Sequence, residues 1–112
     1  MFDILLSGSG ATLVFQTPKK LYVSWIGDSN VLVAGKSNEE KEFLNQPAHR
    51  PSRDGEKYRI YNAKGEIRKT NDGFERVYMR ARMYPGLKIS RTLGDLIPHQ
   101  IGVISEPSFV CH

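Results

Sequence analysis

The strongest constraint on the fold is the run Leu21-Tyr22-Val23-Ser24-Trp25-Ile26, followed by Gly27-Asp28-Ser29-Asn30 and then Val31-Leu32-Val33-Ala34-Gly35. β-Branched and aromatic residues on both sides of a Gly-Asp-Ser-Asn turn predict two antiparallel strands joined by a tight hairpin. Leu13-Val14-Phe15 and the polar turn Thr17-Pro18-Lys19-Lys20 precede them, which extends the prediction to a three-stranded antiparallel meander. Asp28 then falls at a strand end. A carboxylate at the rim of a sheet is held still by the strands behind it and can face a cation or a water in a cleft. Asp, Ser and Asn are also ordinary turn residues that hydrogen-bond their own backbone.

What the sheet can meet depends on charge. Sixteen Lys and Arg against twelve Asp and Glu leave the 112 residues with a formal charge of +4. That balance suits a phosphorylated or otherwise acidic partner and falls short of the dense basic clustering that would by itself suggest nucleic acid. The single cysteine, Cys111, excludes an internal disulfide and fits a reducing compartment, cytoplasmic or nuclear. No apolar run approaches a membrane span, and Met1 to Leu6 is too short for a signal peptide and carries Asp3 where one wants positive charge.

Along the chain, Ser7-Gly8-Ser9-Gly10-Ala11-Thr12 reads as a small-residue loop entering the first strand; it lacks the Gly-Lys-Ser/Thr ending of a phosphate-cradling P-loop. Lys36 to Glu42 is a charged run without periodicity, and local propensity would allow a short helix over Glu39 to Leu44. Pro51-Ser52 predicts a helix start, with Ser52 as N-cap, Asp54 and Glu56 in the first turn, Tyr58, Ile60 and Tyr61 on the buried side, and Lys64-Gly65 as the ending. From Lys64 to Arg91 the chain is rich in cations: Lys64, Arg68, Lys69, Arg76, Arg80, Arg82, Lys88 and Arg91. Such charges form a solvated face or meet phosphate groups. Asp72-Gly73 reads as a turn, and in the tail Gly102 to Ser105 and Ser108 to Cys111 read as short strands.

Four blocks in this order carry a resemblance. Ser7-Gly8-Ser9-x-Ala11 with Leu21-Tyr22-Val23 and Gly27-Asp28-Ser29, then His49-Arg50-Pro51 with Glu56, Arg59-Ile60 and Gly65, then Leu87 and Ser90-Arg91-Thr92-Leu93-Gly94-Asp95, then Ser105-Glu106-Pro107, together resemble the middle of the metal-dependent protein serine/threonine phosphatases of the protein phosphatase 2C type. The resemblance implies an α+β fold: antiparallel β-sheets with flanking helices, part of an α-β-β-α sandwich with its metal centre at one end. It makes residues 1–112 a central portion of such a domain. It also makes Glu42 to Asn45 a strand instead of a helix, and Arg76 to Asp95 the flap region beside the active site.

Family catalysis implies two divalent ions, Mg²⁺ or Mn²⁺, that activate a water against phosphoserine or phosphothreonine. In the family the Asp-Gly-His-Gly-Gly motif that holds them lies upstream and the Asp-Gly and Asp-Asn motifs downstream, none of them present in this chain, and the family's phosphate-binding arginine also lies upstream. Only Asp28 matches a position at the metal centre, and one carboxylate does not make a tight hard-cation site. The chain departs from the family's pattern in having Asn30 where Arg is usual and Ala48 where Asp is usual. His49 matches the segment His and is implied to be structural. No catalytic or substrate-binding residue is assigned. The chain alone is therefore expected to lack activity, to bind Mg²⁺ or Mn²⁺ weakly or not at all, and to take phosphoproteins as partners. Apolar faces such as Leu13, Phe15, Val23 and Trp25 or their alternates are expected to stand open and favour self-association. A non-catalytic phosphatase-like module binding a phosphoprotein or kinase through Lys64 to Arg91, and a small basic nucleic-acid-binding domain, are the alternatives; Asp95 and Glu106 are the next acidic residues to consider as ligands.

Overall fold

The computed structural model describes residues 3–37 and 39–112; Met1, Phe2 and Asn38, which fall in the opening apolar stretch and in the charged run, lie outside the described residues. In chain order the elements are β1 (Gly8–Ser9), β2 (Ala11–Gln16), β3 (Leu21–Ile26), β4 (Leu32–Ala34), β5 (Lys41–Phe43), α1 (Asp54–Asn62), β6 (Gly65–Lys69), β7 (Glu75–Met79), β8 (Pro85–Leu87), β9 (Leu93–Gly94), α2 (Leu96–His99) and β10 (Ser108–Cys111). The strand pairings are antiparallel, in sheets ordered β10-β3-β2, β6-β7-β8, β4-β5 and β1-β9. This is the α+β class that the resemblance implies. No helix among the described residues is long and apolar enough to cross a membrane.

The first half of the meander forms as expected, with Val14 opposite Val23 and Phe15 opposite Tyr22. The second half does not. β3 takes β10 as its other neighbour, with Val110 opposite Val23, and β4 pairs with β5 instead. Two interactions that a hairpin turn would make within itself go to a side chain: buried Asn45 donates to the Ser29 carbonyl and accepts from the Val31 amide at 2.7 Å. β5 overlaps at Glu42 and Phe43 the strand that the resemblance, against local propensity, places over Glu42 to Asn45; Leu44 and Asn45 lie beyond it.

Around α1 the expectation is partly corrected. Asp54 and Glu56 occupy the first turn, but the N-cap is Arg53, not Ser52, and it makes no side-chain cap bond. Ile60 is fully buried, whereas Tyr58 and Tyr61 are exposed and Glu56 takes the inward position beside Ile60. The left-handed residue after the helix is Lys64, φ +70°, and not the glycine that follows. Asp72 and Gly73 do form a turn, in the β6–β7 hairpin, where Asp72 accepts from the Phe74 amide at 3.1 Å. In the tail β10 is as expected, while Gly102 to Ser105 forms no strand, only a single bridge between Ile104 and Arg91. That segment serves as core: Val103 is buried and Gly102 lies against the α1 backbone.

Two small apolar clusters result. Val23, Trp25 and Leu44 form one; Ile60, Val77, Ile101 and Val103 form the other. They give an elongated body of 50 × 32 × 26 Å. The register sets Val23 and Trp25 on the covered face of the β10-β3-β2 sheet, which corrects their expected exposure. Leu13 and Phe15 lie on the other face with Phe109, 70%, 67% and 63% exposed, so the open side is an uncovered apolar surface.

Candidate functional site

Asp28 stands where β3 ends. Gly27 turns the chain at φ +105°, a conformation that strains any residue with a Cβ, and a Cβ there would also come within 3.3 Å of Gly10 Cα. The corner is clamped by His49. Its amide donates to the Gly27 carbonyl at 2.9 Å, and the Gly27 amide donates to His49 Nδ1 at 3.0 Å. With Nδ1 accepting, the ring proton belongs on Nε2, which donates to Ser108 Oγ at 2.8 Å. The imidazole stacks on Trp25 with centroids 5.8 Å apart. Burial, aided by the positive charges of Arg91 and Arg59 and only partly opposed by Glu56, lowers the His49 pKa from 6.5 to about 4. The ring is thus neutral at pH 7, with both nitrogens committed to protein partners.

Arg50, next in the chain, brings its Nε to 3.7 Å from Asp28 Oδ2. Behind it lies a buried ionic network. Glu56 accepts from Arg91 Nε at 2.7 Å and Nη2 at 3.1 Å, from Arg59 Nη1 at 2.7 Å, and from Ser90 Oγ at 2.9 Å. Burial alone would raise the Glu56 pKa; the bonds from Arg91, Arg59 and Ser90 outweigh it and lower the value to about 2. Arg59 also donates to the carbonyls of Gly102 at 2.7 Å and Ser90 at 3.0 Å, and Arg91 to that of Glu106 at 2.8 Å. The Ser90 amide donates to the His49 carbonyl at 3.0 Å. The Gly27-Asp28, His49-to-Glu56 and Ser90-Arg91 segments, far apart in sequence, therefore meet at one corner.

The cations of Lys64 to Arg91 do not make one open face. Arg91 is committed to Glu56. Arg68 pairs with Glu66 at 2.6 Å and covers the Tyr78 ring, and Arg76 pairs with Asp72 at 2.6 Å. The Thr70 hydroxyl, with Arg76 and the Phe74 amide, holds the Asp72 carboxyl well below the usual carboxylate range. Arg50, Lys69 and Lys88 instead surround a cleft of about 290 Å³ between the Arg50-Pro51-Ser52 turn and the Gly73-Phe74 turn.

Asp28 is the one carboxylate that the corner presents. Asp95 is buried elsewhere, beside β1, in space that a Cβ on Gly8 would fill, and Glu106 is exposed. Among the described residues no three or more His, Cys, Asp and Glu side chains converge as metal ligands would. A hard cation takes about six oxygens or more, so one carboxylate facing a guanidinium does not by itself fit a pair of divalent ions.

The sequence puts Asp28 at a strand end, where it stands just after β3, and His49 is held by protein partners through backbone and ring. Sequence reasoning missed Asn45, and it missed Glu56 as the hub of a buried network. The signal for Glu56 was its spacing from Arg59, three residues on along the helix; nothing local pointed to Arg91.

Residues 3–112 match the family described as Protein phosphatase 2C. The chain is 31% identical over 109 residues to a probable protein phosphatase 2C 73 of Arabidopsis thaliana, covering 94% of this chain and 29% of the relative. A crystal structure of serine-threonine phosphatase 2C from Toxoplasma gondii superposes with a TM-score of 0.81 at 19% identity, over 94% of this chain and 37% of that one, which bears on the fold alone. The structure of a C. elegans sex determining protein superposes with a TM-score of 0.74 at 29% identity, over 94% of this chain and 24% of the other. The chain thus spans less than a third of the length of this Arabidopsis relative and under two fifths of either solved structure.

Proposed function

The chain belongs to the protein phosphatase 2C family, and from that premise we propose that it forms the central part of a metal-dependent protein serine/threonine phosphatase domain. Its role is to present Asp28 to the metal centre and the flap to the phosphoprotein. The observation that carries this reading is the convergence of the sequence-distant His49-to-Glu56 and Ser90-Arg91 segments on the Gly27-Asp28 corner, with Arg50 facing the carboxylate and His49 locking the backbone. A carboxylate fixed in this way needs little reorganisation to meet a cation or its water. Arg50 stands opposite the Asp28 carboxylate, with Nε 3.7 Å from Oδ2. His49, neutral and saturated with hydrogen bonds, positions the corner and moves no proton.

Mg²⁺ or Mn²⁺ is the cofactor of the whole domain, and the 112 residues alone bind it weakly and do not hydrolyse phosphopeptides. Exposed Cys111 on β10 suits a reducing compartment, cytoplasmic or nuclear. Mn²⁺-dependent hydrolysis of a phosphothreonine peptide tests the reading. The chain alone should give background rates, and mixing it with separately expressed flanking segments that carry the missing aspartates should restore turnover. Asp28→Ala should lower the restored rate. Turnover by the purified chain alone, abolished by chelator and by Asp28→Ala, would overturn the assignment of the other ligands to flanking sequence.

A further inference from the structure

The cleft beside Arg50 has a composition that the Asp28 corner does not explain. Its walls carry Arg50, Lys69 and Lys88 with one carboxylate, Glu75, and Asp28 faces Arg50 from the corner, while Arg68, Arg76 and Arg91 pair with Glu66, Asp72 and Glu56. Lys69 and Glu75 are opposed across the β6–β7 ladder. Lys88 lies with its Nζ 3.5 Å from the centroid of the Phe74 ring, so the ring steadies the ammonium without neutralising it. Arg50 belongs to both places: its Nε faces Asp28 and its side chain lines the cleft. A concave site with surplus positive charge and an aromatic wall, one side chain away from the Asp28 corner, selects for negative charge on a ligand.

We infer that this cleft is an anion subsite, which holds a second acidic side chain, phosphoryl or carboxylate, of a peptide whose phosphoresidue lies at the Asp28 corner. The inference rests on the proposed phosphatase role for the location of the phosphoresidue and not for the binding itself. Its volume, about 290 Å³, takes one acidic side chain. A net charge of only +4 with paired arginines on either side gives no track for a nucleic-acid backbone. The subsite would therefore favour phosphoproteins whose target residue is flanked by Glu or Asp or by another phosphoresidue.

Backbone-amide NMR on the whole 112-residue chain tests this without hydrolysis, so a failure of turnover in the reassembled domain and a failure of the subsite are separate results. The probes are three peptides of one sequence that keep one phosphoserine and differ beside it: flanking glutamates, flanking glutamines, or a second phosphoserine. The glutamate and doubly phosphorylated peptides should shift the amides of Gly73, Phe74, Glu75 and Lys88, and bind about fivefold tighter than the glutamine peptide at low salt. Which of the two binds tighter identifies carboxylate or phosphoryl as the preferred group. Lys69→Ala with Lys88→Ala should abolish that preference, Lys69→Gln with Lys88→Gln should repeat the loss if the alanine pair fails to fold, and Lys19→Ala on the remote β2–β3 turn should leave it intact. Equal binding of the three peptides, a preference that survives loss of both lysines, shifts confined to other residues, no binding at millimolar peptide, or equally tight binding of a DNA oligonucleotide would each overturn the inference.

Discussion

Acidification from pH 7 to 5 should destabilise this chain through one residue, His49. The unfolded chain takes up a proton at the ordinary value of 6.5, whereas folded His49 resists it until about pH 4. Between those values the unfolded state binds more protons, so stability falls as the pH drops through the window and the loss is complete below it. At about 1.4 kcal/mol per pH unit, the loss is about 2 kcal/mol at pH 5 and about 3 kcal/mol at pH 4. Structurally, protonation puts a donor on Nδ1 opposite the Gly27 amide, itself a donor, and a charge beside Arg91 and Arg59. Glu56 titrates from 4.5 towards about 2 with the same sign, which is why the comparison stops at pH 5. Urea unfolding followed by the fluorescence of buried Trp25 measures the loss, and His49→Gln, which cannot titrate, should be less stable at pH 7 but nearly flat from pH 7 to 5. The imidazole C–H resonances should titrate near 4. Equal losses in the wild type and His49→Gln, or an imidazole that titrates near 6.5, would refute the account.

Glu56→Gln should cost about 3 kcal/mol or more in urea unfolding, since it leaves Arg59 and Arg91 buried without their shared anion; a loss under about 1 kcal/mol would mean that the arginines find other partners. Gly102→Ala should lower stability by about 2 kcal/mol or more, because φ is +98° and the new Cβ would come within 2.6 Å of Ile60 Cα in the α1 backbone. A melting temperature within a degree or so of wild type would contradict that contact. The open face of Leu13, Phe15 and Phe109 should make the chain self-associate, and Leu13→Lys with Phe109→Lys should shift light scattering towards monomer; a wild type that stays monomeric at high concentration would show that the face is tolerated in water.

Much of this was legible because it is local. Alternation and turn chemistry place β2, β3 and the Asp72-Gly73 turn, and acidic residues after Pro51 place α1. The β3–β4 hairpin was misread because Gly-Asp-Ser-Asn has hairpin chemistry whether or not another part of the chain takes over its hydrogen bonds, and here Asn45 and His49 do so. The inward face of α1 was misread for a related reason. Hydrophobicity favours Tyr58 and Tyr61 over Glu56, but the helix turns to the side where two arginines meet a carboxylate, and the tyrosines keep their hydroxyls at the surface. Arg91 looks like any other cation in a basic stretch until the fold puts Glu56 beside it. Four blocks in register carried the site further than propensity did, since they hold Asp28, His49 and Ser90-Arg91 together without any local signal of contact.

The position of Asp28 follows from what joins the two apolar clusters. Val23, Trp25 and Leu44 lie on one side, Ile60, Val77, Ile101 and Val103 on the other, and polar groups fill the seam: His49, Glu56, Arg59, Ser90 and Arg91. Apolar residues of the same volume could stabilise such a seam as well or better. They would not fix its geometry, because dispersion contacts tolerate sliding and rotation while hydrogen bonds fix direction as well as distance. His49 bonds to Gly27 through backbone and ring, and its carbonyl accepts from Ser90, which is tied through Glu56 to α1. Every buried side-chain polar atom among the described residues has a partner, so the seam has no loose member to take up a displacement. The orientation of the Gly27-Asp28 corner is therefore set by both clusters at once, and loosening either one should move the Asp28 carboxylate before it unfolds the strand that carries it.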